Sequence, residues 1–132
     1  RWECVCEIAC AHQSTTIVPN CFSDLAPAQP RDLVGQAVWG YPEFSHAGDA
    51  IDTYLDAKAL EPFKTSGVFL VPKWPTARFY QRSRRYFRVK RAFPAGTRVA
   101  QRFDAPSGEW RDVRSPCALE LWFSPAAAHA LT

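Results

Sequence analysis

Polar and apolar residues alternate from Trp2 to Cys10, with Trp2, Cys4, Cys6, Ile8 and Cys10 on one parity and Glu3 and Glu7 on the other. A period of two belongs to a half-buried strand, so a strand with inward-facing cysteines is predicted. From Gln13 to Asp32 the periodicity is lost among Ser, Thr, Pro, Asn and Asp, and a long loop held by Cys21 is expected. A short strand over Gln36 to Tyr41 precedes turn residues from Pro42 to His46.

The period then changes. Between Ser45 and Glu61, Ala47, Ile51, Tyr54, Leu55 and Leu60 fall near one helical stripe, and Asp49, Asp52 and Asp56 fall on another. The spacing predicts the main helix at about residues 46–61, with Ser45 as its cap, early acidic residues suiting the dipole, and Pro62 ending it. Strand patterns follow at Gly67 to Lys73, Arg84 to Phe93, Thr97 to Phe103, Glu109 to Val113 and Cys117 to Phe123. Turn residues at Pro94-Ala-Gly96 and Ala105-Pro-Ser-Gly108 separate them, and Trp74 to Gln81 suits a short helix with Pro75 in its first turn. Strands in series after one main helix indicate an α+β domain with an antiparallel sheet and a Cys-rich N-terminal strand.

The chain has 132 residues, 47% of them hydrophobic, which suits one domain with a real core and argues against disorder. No apolar run is long enough to span a bilayer. The start at Arg1 and the lack of Met suggest a processed piece, either a fragment cut from a longer secreted precursor or the C-terminal module of a larger exported protein, secreted or delivered into a target cell. A boundary of the expressed segment explains the same start. Cys4, Cys6, Cys10 and Cys21 crowd the first 21 residues, with Cys117 far away. Disulfides, a structural zinc and buried thiols all fit such crowding, although the two-residue gaps of zinc knuckles are missing. With an odd count one thiol stays free, and Cys117 pairing back to the N-terminal group would tie the two chain ends together.

Charge alters the picture most. Residues 1–61 hold three basic and nine acidic residues, for −6; residues 62–103 hold eleven basic and no acidic residues; the remainder holds two basic and four acidic, for −2. The net +3 hides this division. A field so divided gathers anions at one surface: nucleic acid, a phosphate-bearing cofactor or an acidic inhibitor of the immunity type. Strict alternation through Arg84 to Arg91 would send basic side chains to both faces, as at a cleft or at a sheet edge protected against further pairing.

No Walker loop, G-x-G-x-x-G, H-E-x-x-H or G-x-S-x-G is present, and neither His12 nor His46 opens a zinc-deaminase signature. His129 stands apart from both. The segment Ser66-Gly-Val-Phe-Leu-Val-Pro-Lys-Trp-Pro-Thr-Ala-Arg-Phe-Tyr80, followed by Tyr86-Phe-Arg-Val-Lys90 and Phe93-Pro-Ala-Gly-Thr97, resembles the middle of ADP-ribosyltransferase-type toxin domains. Pro94 to Trp110 is similar to the Gly-Thr…Arg-Phe-Gly…Gly segment of NAD-glycohydrolase toxins. The resemblance spans residues 66–110, about a third of the chain. It implies NAD as substrate, no metal, Glu109 as catalytic acid residue, Ser66 or Thr65 as the hydroxyl residue, and Arg88, Arg102, Arg84 and Tyr86 holding the cofactor. For the family's first-strand arginine or histidine, Arg31 is the nearest candidate. Such a site would stabilise an oxocarbenium-like state with the carboxylate while arginines clamp the pyrophosphate.

Two other readings use the same residues. A metal-independent ribonuclease would pair His46 with Glu109 or Asp104 and bind RNA on the basic stretch between Phe79, Tyr80, Tyr86, Phe87, Phe93 and Phe103. A non-catalytic module would bind a polyanion or an acidic protein on that same face.

Overall fold

In the computed structural model of the protein the backbone is described for residues 6–8, 20–21 and 28–126, and side chains for residues 28–126. Trp2, Cys4, Cys10, His12 and His129 lie outside the described residues. Along the chain run β1 (Cys6–Ile8), β2 (Asn20–Cys21), α1 (Pro30–Leu33), β3 (Ala37–Gly40), α2 (Ala47–Leu60), β4 (Ser66–Pro72), α3 (Arg78–Ser83), β5 (Arg88–Phe93), β6 (Arg98–Asp104), β7 (Glu109–Arg114) and β8 (Leu119–Ser124). The α+β class stands. The main helix and most of the expected strands are present to within a few residues. The expected loop from Gln13 to Asp32 contains β2 and the start of α1, and its remainder up to residue 27 is outside the described residues.

Two local differences have physical causes. A single 3-10 turn over Phe44–His46 leads into α2, so His46 rather than Ser45 is the cap residue, without a side-chain capping bond. A second 3-10 turn, Arg84–Tyr86, continues α3 and delays β5 to Arg88. Pro75 precedes α3 instead of entering its first turn, since Ala77 N donates to Trp74 O and closes a separate turn there.

Six strands form one mixed sheet in the order β2-β1-β3-β4-β8-β5, and β6 with β7 forms a separate hairpin. Antiparallel pairing is confined in the large sheet to β4–β8 and β8–β5; β1, β2, β3 and β4 pair in parallel. The 14-residue α2 is the crossover that makes β3 and β4 parallel. After β4 the chain passes through α3 to β5, leaving a gap one strand wide that β8 later fills.

Helices cover one face. Ala47, Ile51, Tyr54 and Ala57 of α2 are buried at helical spacing against Phe69 and Val71 of β4 and Trp122 of β8. The Trp122 ring lies 6.0 Å from Phe79, 5.5 Å from Tyr80 and 5.2 Å from Phe87. A methyl group at Gly67 would come within 2.7 Å of the Tyr54 ring, so the helix and β4 meet there without a side chain between them. Lys58 secures the helix end: its ammonium donates to Pro62 O at 3.0 Å and to Thr65 O and Pro125 O at 2.6 Å. Cys117 is half-buried and forms no disulfide among the described residues.

Tyr54 is fully buried and its hydroxyl donates to Ser124 Oγ at 3.0 Å. Burial pushes its phenol up to about 12, against a smaller opposite pull from Ser124. The unfolded chain releases this proton near 10. The stabilisation is therefore complete below pH 10 and is lost as pH rises through 12, on the order of 3 kcal/mol in all. Urea unfolding at pH 9 and pH 11.5 should show that loss in the native protein and a smaller one in Tyr54→Phe; equal losses would dismiss the assignment.

Candidate functional site

Strand β5 is an edge of the large sheet, and its basic residues are sorted by a bulge. Arg88 pairs with Phe123 and Val89 with Trp122, after which the register shifts so that Arg91 pairs with Leu121, Ala92 with Glu120 and Phe93 with Leu119. Directly paired residues share a sheet face. Trp122 is packed under the helices, so Phe123 and Leu121 face the other way, and Arg88 and Arg91 project with them. The extra residue is Lys90, and an inserted residue resets the alternation. Strict alternation would have put Arg91 with Val89 on the helix side; the expectation of basic residues on both faces is corrected by the bulge.

Aromatic rings underlie these cations. Lys90 Nζ lies 5.2 Å from the Phe123 centroid, the Arg91 guanidinium 5.1 Å from Phe93 and the Arg85 guanidinium 4.9 Å from Tyr86. Such contacts hold a cation in place without neutralising it. Within residues 62–103, Lys64 pairs with Glu61, Arg82 with Asp52 at 2.6 Å and Arg98 with Asp112 at 3.7 Å, while Arg84 approaches Glu120 at 4.0 Å. Lys73, Arg78, Arg85, Arg88, Lys90, Arg91 and Arg102 have no ion pair among the described residues. Internal neutralisation thus reaches four of the eleven cations and leaves the run Arg85, Arg88, Lys90 and Arg91 without a carboxylate partner among the described residues.

The residues expected from the sequence separate. Thr65 and Ser66 are buried where β4 begins, and Thr65 Oγ1 accepts from Gly35 N at 2.9 Å, which ties the loop after α1 to the sheet. Glu109 is exposed at the far end of the hairpin, opposite Asp104, on the other sheet. Asp104 is engaged by the turn itself: the Ser107 hydroxyl, first, and the Arg111 guanidinium hold its carboxyl below the ordinary carboxylate range. His46 is 3.8 Å from Glu43 at the head of α2, and Arg31 is exposed on α1. Arg88 and Arg102 are exposed, Tyr86 carries Arg85, and Arg84 turns inward, donating to Phe87 O at 3.3 Å.

Glu120 was not singled out from the sequence. It is buried, accepts from Tyr80 Oη at 2.8 Å and from Trp122 Nε1 at 3.2 Å, and faces Arg84. Burial, then the Glu120 carboxylate, raises the Tyr80 phenol. The sequence pointed the other way: in Leu119-Glu-Leu-Trp-Phe123 the apolar Leu119, Leu121 and Phe123 share one parity, so alternation puts Glu120 on the polar side, and only the packing of Trp122 under the helices buries it.

Two grooves complete the surface. One of about 690 Å³ between α2 and α3 is lined by Asp52, Leu55, Lys58, Arg82, Ser83 and Tyr86. The buried Ser83 hydroxyl there has no hydrogen-bond partner among the described residues. The other, about 500 Å³, follows the carboxyl end of β3, the edge at which open α/β sheets receive ligands. Tyr41, Glu43 and Phe44 line it, and Phe44 stands edge-on to Trp74 at 5.5 Å. No group of three His, Cys, Asp or Glu that could hold a metal occurs among the described residues. Among those same residues no helix is long and apolar enough to cross a membrane.

Comparison with protein-family models, with curated proteins and with solved structures returned no match.

Proposed function

We propose that the protein binds a phosphate-bearing polyanion, nucleic acid foremost, along the helix-free side of β5. The observation that carries this reading is the bulge at Lys90, which gathers Arg88, Lys90 and Arg91 on one side of an edge strand. Three cations with no carboxylate partner among the described residues concentrate phosphates and release their counterions on binding. Aromatic rings hold Lys90 and Arg91 at the surface, and the exposed edge leaves room for an extended partner.

Titration of a labelled oligonucleotide at increasing salt tests it. Affinity should fall linearly on a log–log plot, with a slope on the order of −2 to −3 if three phosphates are met. Binding that is absent at 50 mM salt, or indifferent to salt, would refute the reading. The same incubations separate binding from turnover: RNA recovered intact and NAD unconsumed fit a binder. Turnover of either, lost in Glu109→Ala, would establish the enzymatic reading in its place.

A further inference from the structure

We infer that the β6–β7 hairpin is a base-stacking arm, so that the polyanion of the preceding reading, on which this inference rests, is a single-stranded nucleic acid. Phe103 and Trp110 are directly opposite one another, ring centroids 5.3 Å apart and 65° between planes. Phe103 is 50% exposed and Trp110 65%, and every residue of β7 is exposed. Two large rings left so open on a two-stranded ribbon add nothing to a core. Their faces and edges are available to a planar partner.

The charges around the rings identify that partner. On their own face lie Gln101 and Asp112, hydrogen-bonded at 3.2 Å. Asp112 is shared by two guanidiniums, Arg98 and Arg114, each at 3.7 Å. On the opposite face Arg102 pairs across the ribbon with Arg111. Arg111 is taken by Asp104 at 3.1 Å, and Arg102, whose charge also acts on Asp104, has no direct ion pair among the described residues. With exposed Glu109 beside Trp110, the two strands carry four arginines against three carboxylates, a net +1 that adjoins the cations of β5 and suits bases joined by phosphates. Every base has a π-face, but a duplex hides those faces inside its own stack, and only an unpaired strand offers them to an aromatic side chain.

The arm and β5 form one surface. Only residues 94–97 separate the strands, and that turn is pinned by Gly96 N to Ser115 O at 2.7 Å and Ser115 N to Thr97 O at 2.9 Å. At the arm's base Val99 and Arg98 share a cleft with Phe93, Leu70, Leu121 and Trp39, on the face of the sheet without helices. From Arg98 to Phe103 a strand rises roughly 17 Å. A short run of nucleotides can thus leave its phosphates on Arg88, Lys90 and Arg91 and reach the rings with its bases.

The test compares oligo(dT), a duplex of equal phosphate number and heparin on the full chain. Phe103→Ala with Trp110→Ala should weaken oligo(dT) binding by at least tenfold, leave heparin binding within twofold, and leave the salt slope unchanged. Phe103→Tyr with Trp110→Phe, which keeps two rings, should restore most of the affinity. Unchanged oligo(dT) binding in the alanine variant, equal losses for heparin, or wild-type binding to the duplex as tight as to the single strand would each overturn the inference while the polyanion reading stands. A wild-type dimer in sedimentation that the alanine variant dissolves, with oligo(dT) affinity kept, would assign the rings to a second copy instead. If the wild type binds neither heparin nor oligo(dT), both proposals fall.

Discussion

Arg88, Lys90 and Arg91 replaced together by glutamine should bind oligo(dT) about 100-fold more weakly than the native protein at 0.1 M salt, with a salt slope shallower by about 2. The magnitude follows from counterion release: each phosphate contact to a single strand contributes about 0.7 to the slope, hence roughly fivefold in affinity at that salt. Three contacts multiply. Glutamine is chosen because it keeps polar bulk on an edge strand, where alanine would expose backbone to another sheet. Lys64→Gln is the matched control, since its charge is already paired with Glu61 and lies on the turn after α2. A loss from the control equal to one third of the triple variant's would mean that net charge, rather than the bulged strand, governs binding. An unchanged slope in the triple variant would sink the β5 assignment outright.

The largest effect on stability belongs to Trp122→Ala, expected to cost about 4 to 5 kcal/mol and to lower the melting temperature by roughly 15 °C. Trp122 is fully buried and touches three rings, two of them on α3 and one at the entry to β5. Its removal leaves a large cavity between the helices and the strand that bridges β4 and β5. It also takes the indole N–H from Glu120, a buried carboxylate that then keeps Tyr80 as its remaining short contact. Against a typical total of about 5 to 15 kcal/mol, that loss removes from about a third to nearly all of the stability. Trp110→Ala, on the exposed arm, should stay within about 0.5 kcal/mol of the native protein in the same urea titration. Comparable losses at the two positions would show that the arm is part of the core.

Several elements could be read locally. Helix α2 declared itself because Ala47, Ile51 and Tyr54 recur at a helical interval, and three of its four buried residues lie on the stripe read from the sequence. The hairpin did so because both of its bounding turns contain a glycine that adopts a left-handed conformation, Gly96 at φ 86° and Gly108 at φ 70°. The uneven charge could be counted directly. In the candidate site, Arg88 and Arg102 were singled out and are exposed as a binding role requires, whereas Thr65 and Ser66 were singled out by type and are buried in the frame of the sheet.

Other features depend on residues far apart in the chain. Whether β3 and β4 run parallel, and that β8 enters between β4 and β5, are matters of which strands find each other, and period-two patterns are the same for every pairing. Arg84 reads as one more cation until β8 places Glu120 opposite it, 36 positions later. The bulge at Lys90 leaves no mark in the alternation, because it arises from fitting β5 to the fixed register of β8.

What the sequence determined by itself was therefore the kind of elements, their order and the sign of the charge each would carry, since propensity, periodicity and ionisation are properties of short stretches. Only the tertiary structure decided which cations stay uncompensated and which face they share. Neutralisation and facing are set by neighbours brought together across the sheet, and one inserted residue at Lys90 is enough to turn Arg91 from the core side to the open side.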